Sequence, residues 1–145
     1  MSEYSGPLPV PTPETRPFWE AARRHELWLQ HCRACGAYVF YPRAACPRCL
    51  GPDLEWRRVS GRGRLHTFTV VHRGARSFPL PAPYVIAIVE LDEGPRMMTN
   101  VVDCDVTDVA VGMPVEVTFR AIDDTDTESV TIPVFRPRSG YTTAA

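Results

Sequence analysis

Four cysteines spaced Cys32-x2-Cys35-x10-Cys46-x2-Cys49 constrain this 145-residue chain more than any other feature. A Cys-x2-Cys pair delivers two sulfurs from one tight turn. The ten residues between the pairs are enough for a β-turn-β excursion that returns the second pair beside the first. Gly36, directly after the first pair, supplies the left-handed backbone such a knuckle needs, and Pro47 stiffens the second. Four thiolates around one ion form the closed tetrahedral site of structural zinc. Four sulfurs also hold iron, but zinc is the expected metal. The spacing predicts Cys32, Cys35, Cys46 and Cys49 as its ligands, with no open position for catalysis. Such a site contributes folding energy, ~10–16 kcal/mol in zinc-finger peptides.

Reading the cysteines as ligands rather than disulfides depends on the compartment. The start MSEYSGPLPVPTPE lacks the basic residues and apolar stretch of a signal peptide, and no run approaches the ~20 apolar residues of a membrane span. A cytoplasmic protein without membrane contact is therefore expected. All 16 basic residues are arginine. The absence of lysine excludes Schiff-base chemistry and a P-loop. Net charge is −1 and pI about 6.4, which excludes a strongly basic nucleic-acid binder. Charge is uneven: residues 1–64 carry ten arginines against six acids, and residues 65–145 carry six against eleven. Two units with different surfaces are implied.

Residues 1–13 read as an extended arm, since five of the 15 prolines fall in the first 17 residues. Thr12-Pro13 or Thr15-Arg16-Pro17 opens a helix expected over roughly 14–26, with Phe18, Trp19 and Ala22 on its apolar side. Leu27–His31 is rich in strand formers, and residues 50–56 form a turn and a return strand. From Val59 the texture changes to five short strands: Arg64–Arg73, Tyr84–Leu91, Arg96–Val102, Pro114–Ala121 and Val130–Arg136. Asp92-Glu93-Gly94-Pro95 turns the second into the third, Asp105–Gly112 is a connector, and Pro133 marks an edge or a bulge. Five such strands predict a small antiparallel barrel; an OB-fold fits the count, and the count alone does not separate it from an SH3-like barrel. The expected division is an arm and helix over 1–30, a zinc ribbon over 31–58, a barrel over 59–137 and a flexible tail over 138–145.

No catalytic residue is assigned. Alternation in the first barrel strand puts Leu65, Thr67, Thr69 and Val71 on one face and His66, Phe68, Val70 and His72 on the other. No serine, cysteine or carboxylate stands at a partner position for the histidine pair. Cys104 lacks an activating motif and reads as a small buried or edge residue. The acidic run from Asp123 to Glu128 lacks the glycine and twelve-residue register of an EF-hand, so it reads as a solvated loop. Trp19, Trp28 and Trp56 read as core or interface anchors.

The order of motifs carries a resemblance. The Phe18-Trp19 helix is followed by the ribbon HCRACGAYVFYPRAACPRC and by EWRRVSGRGRLHTFTVVHR. The hairpin YVIAIVELDEGPRMMTNVV, then VGMPVEVTFR and IPVFRP, complete a match over roughly residues 14–137. In this order they resemble the small proteins that join a rubredoxin-like zinc ribbon to an OB-fold, long described as a domain of unknown function. The resemblance implies a mainly β fold: a helical arm, the ribbon, then a five-stranded OB-fold. It also implies a role. Members are similar to accessory subunits of thiolase-fold enzymes, among them thiolases, acyltransferases and the side-chain aldolases of sterol degradation. In such complexes the barrel helps form the acyl-CoA site or channel while the partner does the chemistry. The four cysteines carry over one for one as metal ligands, and no catalytic residue carries over.

On that reading the chain is one part of a hetero-oligomer and shares acyl-CoA with its partner. In Ser60-Gly61-Arg62-Gly63-Arg64, glycines let backbone pass close to a ligand or partner, and Arg62 and Arg64 grip CoA phosphates. Arg73 and Arg76, around the loop after the first barrel strand, take the same reading; the plain alternative for the glycine segment is a flexible joint. Phe18 and Trp19 on the helix and Tyr41 and Arg43 at the ribbon tip are expected to meet the partner. The alternative class is a single-stranded nucleic-acid module, which needs a basic groove interleaved with aromatics. The acidic barrel half argues against it. An electron carrier would need iron.

Overall fold

A computed structural model describes residues 8–74, 80–122 and 130–140. The elements run α1 (Arg16–Arg23), β1 (Trp28–Cys32), β2 (Tyr38–Val39), β3 (Leu54–Arg58), β4 (Arg62–Val71), β5 (Tyr84–Leu91), β6 (Arg96–Val101), a 3-10 turn (Val106–Asp108), β7 (Pro114–Ala121) and β8 (Thr131–Pro137). The acidic run 123–129, Arg76 and residues 141–145 of the tail lie outside the described residues.

The helix is shorter than expected at both ends. Of the two possible starts the chain uses the second: Thr15 is the N-cap and Pro17 sits in the first turn. Residues 12–15 form a turn instead, the Thr12 carbonyl accepting from the N–H groups of Thr15 and Arg16 at 3.1 and 2.8 Å. At the other end His25 adopts left-handed backbone, φ 61°. The Glu26 N–H then folds back onto the Ala21 carbonyl at 2.9 Å, which ends the helix. Phe18, Ala21 and Ala22 are buried.

The ribbon is a three-stranded antiparallel sheet in the order β2-β1-β3. Gln30 on β1 stands opposite Val39 on β2 and Trp56 on β3. The return strand begins at Leu54, after the expected turn, because residues 46–51 are used by the second cysteine knuckle. Val59, at the joint to the barrel, donates its N–H to the Leu27 carbonyl at 2.9 Å. The next residue, Ser60, is tied to the β5–β6 turn: its N–H donates to Glu93 Oε2 at 2.8 Å.

The five remaining strands close a barrel in the order β4-β5-β6-β8-β7. The β6–β8 contact is parallel, at Val101↔Phe135. That makes the order a Greek key rather than a meander, as in an OB-fold. Closure comes from β7 against β4 at Arg62↔Glu116, Gly63↔Val115 and Arg64↔Pro114. Leu65, Val89, Val115 and Phe135 fill the interior at no more than 1% exposure. Burying a side chain of this size stabilises by ~1.5–3 kcal/mol. The same apolar cluster continues into Phe18, Leu27 and Leu29, so helix, ribbon and barrel share one core. Pro133 lies opposite Phe119 on β7, and its carbonyl accepts the Thr99 hydroxyl at 3.2 Å.

One strand departs from simple alternation. The β4–β5 register shifts between Leu65 and Thr67, a bulge that inserts one residue. His66 and Thr67 are both exposed, while Leu65 before the bulge and Phe68 and Val70 after it turn inward. The expected grouping of Leu65 with Thr67, Thr69 and Val71 therefore fails. For the same reason His66 and His72 do not share a face. Among the described residues no helix is long and apolar enough to cross a membrane.

Candidate metal centre and functional surfaces

The two knuckles are built alike. The Gly36 N–H donates to the Cys32 carbonyl at 2.8 Å, and the Leu50 N–H donates to the Cys46 carbonyl at 2.8 Å. Both residues hold left-handed backbone, φ 78° at Gly36 and φ 63° at Leu50. Each first cysteine is pinned from behind, Cys32 N–H to the Ala37 carbonyl at 2.8 Å and Cys46 N–H to the Gly51 carbonyl at 2.9 Å. The two loops thus face each other and present four sulfurs inward. Cys32 and Cys46 are 0% exposed and pack with Val39, Ala37 and Leu54. Cys49 lies at the surface.

The sulfur geometry fits a tetrahedral metal. All four Sγ atoms lie within 4.8 Å of one another. The Cys32–Cys49 and Cys35–Cys46 pairs are 3.6 Å apart. Four thiolates at ~2.3 Å from a central zinc would stand about 3.8 Å apart, and a disulfide needs ~2.05 Å. The backbone N–H groups of Cys49 and Arg48, aimed at Cys46, hold that thiol down to about 7 against the opposing effect of burial. Cys49 moves the other way, to about 11: the Gly51 N–H favours its thiolate, but the Cys32, Cys35 and Cys46 sulfurs and burial outweigh it. Bare sulfurs this close cannot all ionise, and a dication among them removes that conflict. When bound, the metal supplies cross-linking of two loops and no reaction chemistry.

An aromatic cluster stands beside the ribbon. The Phe18 ring meets Trp19 at 5.0 Å and both Phe40 and Tyr41 at 5.9 Å, and Trp19 Nε1 donates to the Tyr41 hydroxyl at 3.2 Å. Phe18 is 2% exposed, so its ring is out of reach of a partner and acts as the base on which Trp19 and Tyr41 rest. Tyr41 is 39% exposed, and Arg43 is exposed beside it with its Nε on the Tyr41 carbonyl at 3.1 Å.

The four candidate phosphate-binding arginines are not gathered in one place. Arg62 and Arg64 lie exposed at the start of β4, and Arg73 lies exposed beyond the far end of this ten-residue strand. Arg76 lies outside the described residues. The glycines between them serve the barrel. A Cβ on Gly61, φ 75°, would meet Val117 Cγ1 at 2.3 Å, and one on Gly63 would meet the Glu90 carbonyl oxygen at 2.4 Å. The close approach they allow is of β4 to its own neighbours. An open groove of about 410 Å³ lies against this end of the barrel, lined by Arg64, Leu65, His66, Glu90, Leu91, Asp92, Val111 and Gly112. Elsewhere, burial pushes the Cys104 thiol up, and Asp108, Asp103 and Asp105 push it further, so it is a poor nucleophile.

Comparison with known proteins agrees with this architecture. Residues 19–55 match the ChsH2 rubredoxin-like zinc ribbon domain, and residues 56–120 match the ChsH2 C-terminal OB-fold domain. A DUF35 domain-containing scaffold protein of Methanocaldococcus jannaschii is 42% identical over 100 residues, 68% of this chain and 71% of that one. A 3-oxo-4,17-pregnadiene-20-carboxyl-CoA hydratase alpha subunit of Mycobacterium tuberculosis is 35% identical over 111 residues. Those residues are 77% of this chain and 35% of that protein, so this chain spans about a third of it. Among solved structures, a chain of the Ltp2-ChsH2(DUF35) aldolase superimposes with a TM-score of 0.78 at 32% identity, covering 90% of this chain and 98% of that one.

Proposed function

The chain belongs to the DUF35 family, whose members here pair a rubredoxin-like zinc ribbon with an OB-fold, and from that premise we propose that it is a non-catalytic accessory subunit of an enzyme acting on acyl-CoA. The observation that carries this reading is the likeness over nearly the whole length of a DUF35 chain that belongs to an aldolase assembly. The name of the Mycobacterium tuberculosis relative points to the same chemistry, a steroid side chain held as a CoA thioester.

The partner in this reading is a thiolase-fold enzyme, whether a thiolase, an acyltransferase or a retro-aldolase, and the two chains form a hetero-oligomer. The ribbon, residues 31–58, and the preceding helix are the docking unit. Trp19 and Tyr41 are large amphipathic rings held rigid by Phe18 and by their own hydrogen bond. Such rings supply contact area at little entropic cost, as interface anchors do. Arg43 extends that surface with a charge. The barrel, residues 59–137, frames the entrance through which acyl-CoA reaches the partner's catalytic groups. The zinc site keeps the two ribbon loops, and hence the docking face, in one geometry.

Two measurements test this. A tagged chain is used to recover partners from a lysate of its source organism, and the recovered complex is assayed against acyl-CoA substrates. Recovery of a thiolase-fold enzyme whose kcat/KM falls when the chain is stripped away is the expected result. Turnover of acyl-CoA by the isolated chain would sink the proposal, and so would a recovered enzyme indifferent to the chain's removal.

A further inference from the structure

The barrel register brings together arginines from opposite ends of the barrel sequence. Arg62 on β4 stands opposite Glu116 on β7, and Glu116 stands opposite Arg136 on β8. Two residues along, Arg64 stands opposite Pro114. The Arg138 N–H donates to the Pro114 carbonyl at 3.0 Å, one step beyond the Val115↔Pro137 pair, so Arg138 continues the second row. Directly opposed residues share a face of a sheet, and so do residues two apart on one strand. Arg62, Arg64, Arg136 and Arg138 therefore sit on one outer face of three adjacent strands. Strand spacing and rise place their Cα atoms at the corners of a rectangle of about 10 by 7 Å.

This face runs against the charge of its surroundings. Residues 59–140 carry eight arginines and eleven acids. Half of those arginines are here, with one acid, Glu116, between them. Glu116 is occupied: it takes Arg136 Nε at 3.4 Å and the Ser139 hydroxyl at 3.2 Å. Arg96 and Arg120, elsewhere on the barrel, are neutralised by Glu90 at 3.2 Å and Asp103 at 2.6 Å, as Arg136 is by Glu116, whereas Arg62, Arg64 and Arg138 have no ion-pair partner among the described residues. Arg64 is held in place by the Gly112 carbonyl, 3.2 Å from Nη1. Arg138 Nε is buried with no acceptor among the described residues. A buried guanidinium N–H without a partner costs free energy that a bound acceptor would recover. Arg64 also lines the adjacent groove of about 410 Å³, whose walls include Leu65, Leu91, Val111 and the His66 ring. That volume suits a small ligand.

We propose that this face binds the phosphates of a nucleotide-bearing ligand. Arg62, Arg64, Arg136 and Arg138 supply planar forks to the phosphate oxygens, and the groove beside Arg64 takes the nucleoside. The choice of a nucleotide rests on the acyl-CoA reading above; the anion site itself does not. An acidic protein surface is the competing occupant. It would have to run onto Glu90 and Asp92 on the groove wall, whereas a compact phosphate group set between the four arginines avoids them.

The test is isothermal titration of the full, zinc-loaded chain at low salt with pyrophosphate, ADP and adenosine. Pyrophosphate and ADP bind, ADP more tightly, adenosine alone does not, and affinity falls as salt rises. Arg64→Gln and Arg138→Gln each weaken binding about tenfold. Arg120→Gln, four residues along β7 from Glu116 and engaged by Asp103, leaves it unchanged. Arg136→Gln, at an exposed position, serves in place of Arg138→Gln if that variant fails to fold. Absence of binding by both phosphates at millimolar concentration overturns the proposal. So does binding that is equal in the Arg64→Gln and Arg136→Gln variants, or capture of an oligoglutamate peptide in place of pyrophosphate. The titration needs no partner enzyme, so phosphate binding would persist if no enzyme were recovered from lysate, and the two readings can fail separately.

Discussion

Gln30 and Arg43 hold each other at both ends of one amide. Gln30 Nε2 donates to the Arg43 carbonyl at 2.9 Å, and Gln30 Oε1 accepts the Arg43 N–H at 2.8 Å. Gln30 is 6% exposed, so water cannot replace either bond. The clamp fixes the loop that carries Tyr41 and Arg43 against β1. Gln30→Leu leaves two backbone groups unpaired, and each unmet bond costs ~1–3 kcal/mol. Gln30→Glu should be no better at neutral pH, because a carboxylate would face the Arg43 carbonyl. Chemical denaturation checks both variants: loss of more than about 1 kcal/mol is expected of each.

The metal site makes a sharper demand. The purified chain should be colourless and carry one zinc per molecule. Cys35→Ser should release it and unfold the ribbon, read by elemental analysis and by loss of the near-ultraviolet signal of Trp28 and Trp56. A red protein containing iron, or a Cys35→Ser variant with unchanged zinc and melting curve, would refute a structural zinc site.

A charge network on the ribbon predicts an acid limb. Glu55 accepts from His31 Nδ1 at 3.2 Å, from Arg33 Nε at 3.0 Å and from Arg57 Nη2 at 2.6 Å. Burial raises the Glu55 pKa, but the bonds from Arg33, Arg57 and His31 outweigh it and hold the carboxyl below its ordinary value. A carboxylate depressed in the folded state contributes stability that is present above its unfolded pKa, about 4.3, and is lost as pH falls through the folded value. The wild-type melting temperature should therefore drop on acidification below about pH 5 more steeply than that of Glu55→Gln. The variant should be the less stable of the two at pH 7. Parallel curves would remove Glu55 from the account.

The helix separates a core residue from a surface one at adjacent positions. Phe18 is 2% exposed in the common core, so Phe18→Ala should cost ~3–5 kcal/mol by the usual cost of truncating a buried aromatic. Trp19 is only partly buried, and Trp19→Ala should change stability far less while weakening capture of the partner enzyme. Equal destabilisation by both, with partner binding intact in Trp19→Ala, would place Trp19 in the core and off the interface.

What could be read in advance followed from local chemistry. The cysteine spacing names a closed site because two knuckles need only short chain, and the spans of β5 and β7 follow from β-branched runs bounded by turn residues. The misreadings trace to contacts between distant residues. The β4 bulge after Leu65 is dictated by pairing with β5, so alternation within β4 alone misassigned Thr67 and the His66–His72 pair. Gly61 and Gly63 signal close approach, but only the fold shows that the approaching groups are Val117 and Glu90. Arg136 and Arg138 stand in a plain alternating strand end, and nothing local to them indicates that β7 sets them in rows with Arg62 and Arg64.

Gly63 ties barrel closure to that arginine face. It sits between Arg62 and Arg64, pairs with Leu91 on one side and Val115 on the other, and lacks room for a Cβ because the Glu90 carbonyl oxygen would be 2.4 Å away and Val89 Cγ1 3.0 Å away. The obstruction is partly backbone, so a side-chain rotation cannot relieve it. Gly63→Ala must push β4 away from β5 or break the ladder at Leu91. Overpacking of this kind costs ~1–3 kcal/mol and more where backbone must move. The displacement also carries Arg62 and Arg64 out of register with Arg136 and Arg138. The variant should melt at lower temperature, retain its zinc, and bind pyrophosphate more weakly than a surface control such as Arg120→Gln. A Gly63→Ala protein that keeps wild-type stability would show that β4 and β5 are not held at the spacing that closes this barrel.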